Sequence, residues 1–273
     1  DEWTSALRMR CDIVEAARRT TMDFHTARVD RPADYWDYDE DSGFILRPGR
    51  DLIEALVQAT QPAVSGRMYA FSCYRATEYV MLLAIAREAR RSHPALYDAL
   101  QRQWRRHAIA SGRFHDSFLH EWGSNEAPLP ATWYVPGDRV WFRNPDEPSS
   151  DASGYEGSWV VYLGQGQFAN FWKPDQPFTL TRKCVEIYHW RHGTYTDDAG
   201  DLRMDEGIVE QRVAQTLADP VETAAIVARM RRYKDGRGVY ADGGCMDTTR
   251  ESPRWVRPGS CDIVLPDAAL TAA

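Results

Sequence analysis

Residues 68–89 read MYAFSCYRATEYVMLLAIAREA, and this stretch decides the fold. From Ala76 to Ala89 it is largely apolar, with the period of a helix face. It therefore predicts a central, largely buried helix with Cys73 in the first turn. Unpaired N–H groups and the positive end of the helix dipole meet there, which should lower the thiol pKa and stabilise an oxyanion. Cys73 is thus the candidate nucleophile; the alternative is an inert core cysteine.

The composition is that of an ordinary globular protein. The chain has 273 residues, 43% of them hydrophobic and 27% charged. A net charge of -7 disfavours nucleic acid as a partner, because the phosphate backbone would repel it. The sequence has no run of about 18 apolar residues, so it predicts no membrane-spanning helix. Residues 1–9 show no signal peptide, so we expect a cytoplasmic protein, or an effector exported without a visible signal.

The order of the predicted elements indicates an α+β fold, with a papain-like nucleophile helix packed on an antiparallel meander sheet. Helices are predicted at 3–27, 50–61, 94–110 and 206–233, and strands at 137–145, 158–164, 167–172 and, less regularly, 178–190. We expect a catalytic domain over residues 1–233 and a loop-rich wrap over residues 234–273.

The cysteine and histidine spacings favour no metal site. Five cysteines without a CxxC spacing disfavour zinc and a dense disulfide framework. Cys245 and Cys261 could form a disulfide or remain two free thiols. His115 and His120 are five residues apart, which is awkward for one helix face, and no third ligand is in view. We therefore expect no metal and no cofactor.

Six blocks of sequence, in the same order, resemble the small transglutaminases of bacterial spore coats. The YAFSC segment followed by Ala76-Thr77 is similar to the family's nucleophile motif, Tyr-Ala-Phe-Glu-Cys-Ala-Thr. The other five blocks are residues 7–17, Tyr35-Trp36, Glu121-Trp122, residues 137–145 and residues 155–164. The resemblance runs from about residue 7 to residue 172 and ends there.

This resemblance implies a transglutaminase-like fold and glutamine-to-lysine crosslinking with release of ammonia and without calcium. Protein substrates, a glutamine donor and a lysine acceptor, would be the partners. A thiolate would attack the glutamine carboxamide to form a thioester, which a lysine amine would then attack. With water in place of the amine, the same site would be a glutamine deamidase.

The acid–base groups of the family are replaced in this chain. Ser72 stands where the family has Glu before the cysteine, Ser158 where it has the second-strand Glu, and Asn170 where it has the third-strand His. Glu156 is the favoured replacement base, because side chains two apart on a strand share a face; the alternative is a solvated acid. Asn170 could orient a base or donate to the oxyanion, or it is a turn residue. His189 is the other candidate base, as in Cys–His pairs.

Aromatic residues are the candidates for a substrate groove. Trp122, Trp36, Tyr69 and Trp159, with Ser158, could wall a groove that admits an extended glutamine and excludes water; the alternative is that the aromatics belong to the core. The altered base and the unmatched carboxy-terminal segment each favour one other function. One is a catalytically dead descendant that binds proteins, and the other is a papain-like effector or toxin protease.

Overall fold

The computed structural model describes residues 1–24, 29–233 and 243–266. The helices are α1 Glu2–Arg19, α2 Leu52–Thr60, α3 Pro62–Ser65, α4 Cys73–Ser92, α5 Pro94–Arg106, α6 Ser111–Phe118, α7 Glu147–Ser150, α8 Leu180–Gly193, α9 Glu206–Ala218 and α10 Pro220–Met230. The strands are β1 Asp23–Phe24, β2 Trp36–Asp39, β3 Gly43–Leu46, β4 Ala70–Phe71, β5 Leu119–Trp122, β6 Arg139–Arg143, β7 Gly157–Gly164, β8 Gln167–Phe168, β9 Phe178–Thr179, β10 Thr194–Thr196, β11 Leu202–Met204 and β12 Arg250–Pro253.

The fold mixes helices with antiparallel sheets, as the sequence predicts. The largest sheet in the described residues has the order β5-β12-β6-β7-β8-β9, and each neighbouring pair is antiparallel. Strands β6 to β9 form the expected meander. None of the described helices combines the length and the apolar character that a membrane crossing needs.

Helix α4 is the centre of the core, as predicted. Ser72 caps it by accepting a hydrogen bond from the backbone N–H of Arg75 at 3.2 Å, which satisfies one free donor of the first turn. The helix packs on α1, α2, α5 and β7. Leu83 is 1% exposed, and truncating such a buried side chain to Ala costs about 2–5 kcal/mol. The helix therefore holds Cys73 on a rigid support.

Three of the predicted elements are corrected by the structure. The strand expected over residues 178–190 is wrong beyond Thr179, whose side chain accepts from the N–H of Arg182 and starts α8. The long helix expected over residues 206–233 is broken at Asp219, because this residue caps a new helix and Pro220 occupies its first position. Helix α1 ends at Arg19, because the backbone of Thr20 is in the extended conformation. The helix expected over residues 3–27 is therefore shorter, and residues 25–27 of it lie outside the described residues.

The carboxy-terminal segment adds a strand to the sheet. Strand β12 lies between β5 and β6, a position that the predicted loop-rich wrap did not include. Its Glu251 pairs with Arg139 of β6 at 2.5 Å, and both side chains are buried. His115 reaches the other oxygen of Glu251 at 2.8 Å. A buried ion pair therefore joins segments 112 residues apart.

The five cysteines are all free thiols. Cys245 does not pair with Cys261; its sulfur lies 3.8 Å from that of Cys184, in the buried contact between α8 and the carboxy-terminal segment. Cys261 is only half-buried. The possible disulfide between Cys245 and Cys261 is therefore not formed.

Candidate active site

Cys73 is the first residue of α4 and stands on the wall of a cavity. Its side chain is half-buried. The backbone N–H groups of Trp159 and Tyr74 donate hydrogen bonds toward the sulfur. Such donors can support negative charge that develops on sulfur or on a substrate oxygen.

The cavity is open to solvent and has a volume of about 240 Å³. This is just below the range of about 300–1,000 Å³ that is typical of sites for drug-sized ligands. A cavity of this size suits one amino-acid side chain. Cys73, Ser158 and Asn170 line it on the sheet side, and residues of α8 and α9 line it on the other.

The pKa of the Cys73 thiol is raised, not lowered. Burial raises this pKa, while the N–H of Trp159, the charge of Lys183 and the N–H of Tyr74 lower it without cancelling the effect of burial. The position at a helix N-terminus therefore does not by itself activate the thiol, contrary to the expectation from sequence. The site needs a charged or proton-accepting neighbour to do so.

Ser158 and Asn170, which stand where the resemblance implies Glu and His, both line the cavity together with Cys73. Ser158 is buried on β7. The Asn170 amide is already engaged: its Nδ2 donates to the carbonyl of Gln176 at 3.0 Å, and its Oδ1 accepts from the N–H of Lys173 at 3.2 Å. Asn170 therefore shapes the turn that follows β8 as well as lining the site.

The two bases expected from the sequence do not line the cavity. Glu156 is exposed and accepts a hydrogen bond from the N–H of Gly154 at 3.2 Å. Strand β7 begins only at Gly157, so Glu156 lies outside the strand and does not share a strand face with Ser158. His189 faces α9, where its Nε2 lies 2.7 Å from the Thr216 hydroxyl. Burial lowers the pKa of His189 to about 4, with a smaller effect of His192.

Three of the four aromatic residues expected in the groove lie elsewhere. Trp36 and Tyr69 are buried in the core, and Trp122 is 49% exposed on β5 with its Nε1 donating to Ser252. None of these three lines the cavity. Trp159 does take part, through the backbone N–H at the Cys73 sulfur.

Helix α8 supplies site residues that the sequence reasoning missed. Lys183 is 1% exposed, and its Nζ lies 3.4 Å from Glu186 Oε1 and 3.4 Å from the ring centre of Phe178. All three side chains line the cavity with Cys73, as does Trp190. Positions 183, 186 and 190 share one face of a helix, so a helical interpretation of this segment would have grouped them.

A cluster of His115, Glu121 and Glu251 has ligand atoms within 4.8 Å of one another, which is the spacing of a possible metal site. Hydrogen bonds to His115 and Arg139 already engage Glu251. This cluster is therefore explained as an ion-pair network. His120, considered with His115 in the sequence, instead contacts Asp262 at 2.6 Å.

The chain is similar to a known protein family and to a solved structure. The family model described as protein-glutamine gamma-glutamyltransferase matches residues 1–237. A solved transglutaminase from Geobacillus stearothermophilus, without its C-terminal extension, has 20% sequence identity and a TM-score of 0.53, and the match covers 77% of this chain and 96% of that one. No protein with a curated description matches.

Proposed function

Because this chain belongs to the protein-glutamine gamma-glutamyltransferase family, we propose that Cys73 is the nucleophile that takes the acyl group from a glutamine side chain of a protein substrate. The observation that carries the proposal is the place of Cys73: it starts a buried helix and lies on the wall of a cavity the size of one side chain. We propose that this is a papain-like arrangement; the packing of α4 on β7 of the antiparallel sheet supports it.

The reaction proceeds in two steps. The Cys73 thiolate attacks the carboxamide carbon and the C–N bond breaks. The nitrogen takes up a proton and leaves as ammonia, and a thioester between the acyl group and Cys73 remains. The amide groups at the start of α4 and at Trp159 support the negative charge as it moves from sulfur to oxygen. A lysine amine then attacks the thioester to form an isopeptide; attack by water instead gives glutamate.

The substrate-binding surface is the cavity and its rim. Ser158 and Asn170 face the glutamine carboxamide from the sheet side, and Phe178 and Trp190 supply an apolar wall for its methylene groups. The enzyme therefore acts on exposed glutamines of proteins, with lysines as acceptors. A net charge of -7 fits protein partners better than nucleic acid.

We propose that residues 1–233 are the catalytic unit and that a carboxy-terminal wrap follows it. The described part of that wrap, residues 243–266, completes the sheet with β12. Five free thiols support a reducing compartment such as the cytoplasm as the place of action.

The test is incorporation of a fluorescent primary amine into casein, measured together with release of ammonia. Wild-type protein should do both, and Cys73→Ala should do neither. The matched control is Cys11→Ala, which removes an exposed free thiol from α1. Ammonia release without amine incorporation would identify a deamidase. Full activity in Cys73→Ala would refute the assignment of the nucleophile.

A further inference from the structure

We propose that Lys183 is the acid–base catalyst of this site, giving a proton to the departing ammonia and taking one from the incoming amine. The proposal rests on the proposed acyl transfer by Cys73. Ser158 and Asn170 stand where the resemblance implies Glu and His, so another group in this chain must donate and accept protons.

Lys183 is in the right place for this task. Its side chain lines the same cavity as Cys73, Ser158 and Asn170, although it is 1% exposed. A general acid or base must be within reach of the atom whose proton it moves. Lys183 lies on α8 and lines the cavity of about 240 Å³ together with Cys73, and its positive charge acts to lower the pKa of the Cys73 thiol against the effect of burial.

The Lys183 ammonium is held by its neighbours. Its Nζ lies 3.4 Å from Glu186 Oε1 and 3.4 Å from the ring centre of Phe178, a cation–π distance. Glu186 also lines the cavity, one turn further along the helix. These contacts fix a long, flexible side chain in one position, which a proton donor needs.

Arg139 is a second cation that acts on Cys73, and two of its guanidinium nitrogens are engaged elsewhere. Its guanidinium pairs with Glu251 at 2.5 Å, donates to the Thr77 hydroxyl at 2.8 Å and stacks on the ring of Trp159 at 3.9 Å. A guanidinium also does not release its proton in proteins. Arg139 can therefore stabilise negative charge but cannot move protons.

The protons balance over one cycle. In the first step the Cys73 thiolate attacks the carboxamide carbon, the C–N bond breaks, and the Lys183 ammonium protonates the leaving nitrogen; the products are a thioester, ammonia and a neutral Lys183 amine. In the second step a neutral substrate amine attacks the thioester, Lys183 takes its proton, and the C–S bond breaks. The isopeptide, the thiolate and the Lys183 ammonium are then formed.

The test compares Lys183→Met, which removes the charge, with Lys183→Arg, which keeps the charge but cannot shuttle a proton. The matched control is Arg191→Met, which removes a cation from the same helix outside the cavity. Two quantities are measured at pH 7 to 9: kcat/KM for amine incorporation, and the rate of Cys73 alkylation by iodoacetamide, followed on the Cys73 peptide by mass spectrometry. Alkylation needs no substrate, so it reports on the thiol independently of turnover.

Lys183→Met should lower kcat/KM by about 10² to 10⁴-fold, the usual range for general acid–base catalysis. It should also slow alkylation on the order of tenfold, because a nearby positive charge is lost. Lys183→Arg should keep most of the alkylation rate and still lose turnover. Arg191→Met should keep both, and circular dichroism should show all three variants folded.

Several results would overturn the proposal. Turnover of Lys183→Met close to that of Arg191→Met would remove Lys183 from the mechanism. Full turnover in Lys183→Arg would show that the reaction needs only the positive charge at this position and not a group that carries a proton. These outcomes differ from failure of the proposed function, in which wild-type protein itself would show no transfer that depends on Cys73.

Discussion

Glu251→Gln should lower the free energy of unfolding by about 3–5 kcal/mol, the cost of breaking a buried ion pair. The side chains of Arg139 and Glu251 are 1% and 7% exposed and lie 2.5 Å apart. The amide keeps the shape of the carboxylate but leaves the charge of Arg139 without its partner. The neutral hydrogen bond from Arg139 to Thr77 cannot compensate for that charge.

The assay is urea unfolding followed by tryptophan fluorescence at 25 °C, with the free energy obtained by linear extrapolation. The matched control is Glu15→Gln, which breaks a pair with Arg19 whose side chains are 60% and 48% exposed. An exposed pair of this kind is worth about 0–1 kcal/mol. A loss in Glu251→Gln no larger than in Glu15→Gln would refute the reasoning, since the ion pair would then not hold β12 to the sheet.

Three further predictions concern pH and the candidate bases. Burial raises the pKa of Cys73, although the cations Lys183 and Arg139 and two backbone amides lower it. The rate of Cys73 alkylation should therefore still rise with pH above pH ~8.5, the ordinary pKa of a thiol. A rate that reaches its plateau below pH 7 would contradict this. A hydrogen bond to Glu251 raises the pKa of His115. The stability that protonated His115 contributes should therefore be complete below pH ~6.5 and lost as pH rises through the folded-state pKa of His115. Urea unfolding at a series of pH values should show this loss in wild type and not in His115→Gln. Glu156→Gln should leave amine incorporation nearly unchanged, because Glu156 is exposed and does not line the cavity; loss of activity would return Glu156 to the site.

The parts of the fold that the sequence predicts well are those with strong local patterns. The apolar face of α4, the alternation in β6 and the nearly continuous apolar run of β7 are set by residues near one another in the chain. The position of Cys73 could be predicted for the same reason, because it stands where the apolar helix starts.

What the sequence could not predict depends on contacts between distant segments. Strand β12 enters the sheet between β5 and β6, and nothing in its four residues indicates which strands it joins. The pKa of Cys73 depends on how deeply the folded chain buries the thiol, which local helix geometry does not reveal. Lys183 was missed because α8 was expected to be a strand, so its helical face toward the cavity was not considered.

The most direct test of the account is to trap the acyl-enzyme. The protein is mixed with a glutamine-containing peptide in the absence of any acceptor amine, quenched in acid after a short interval, and analysed by peptide mass spectrometry. The account predicts an adduct on Cys73 equal in mass to the peptide less ammonia, and no adduct on Cys11, Cys184, Cys245 or Cys261. Transfer to an added amine without any adduct on Cys73, or an adduct on another thiol, would contradict it.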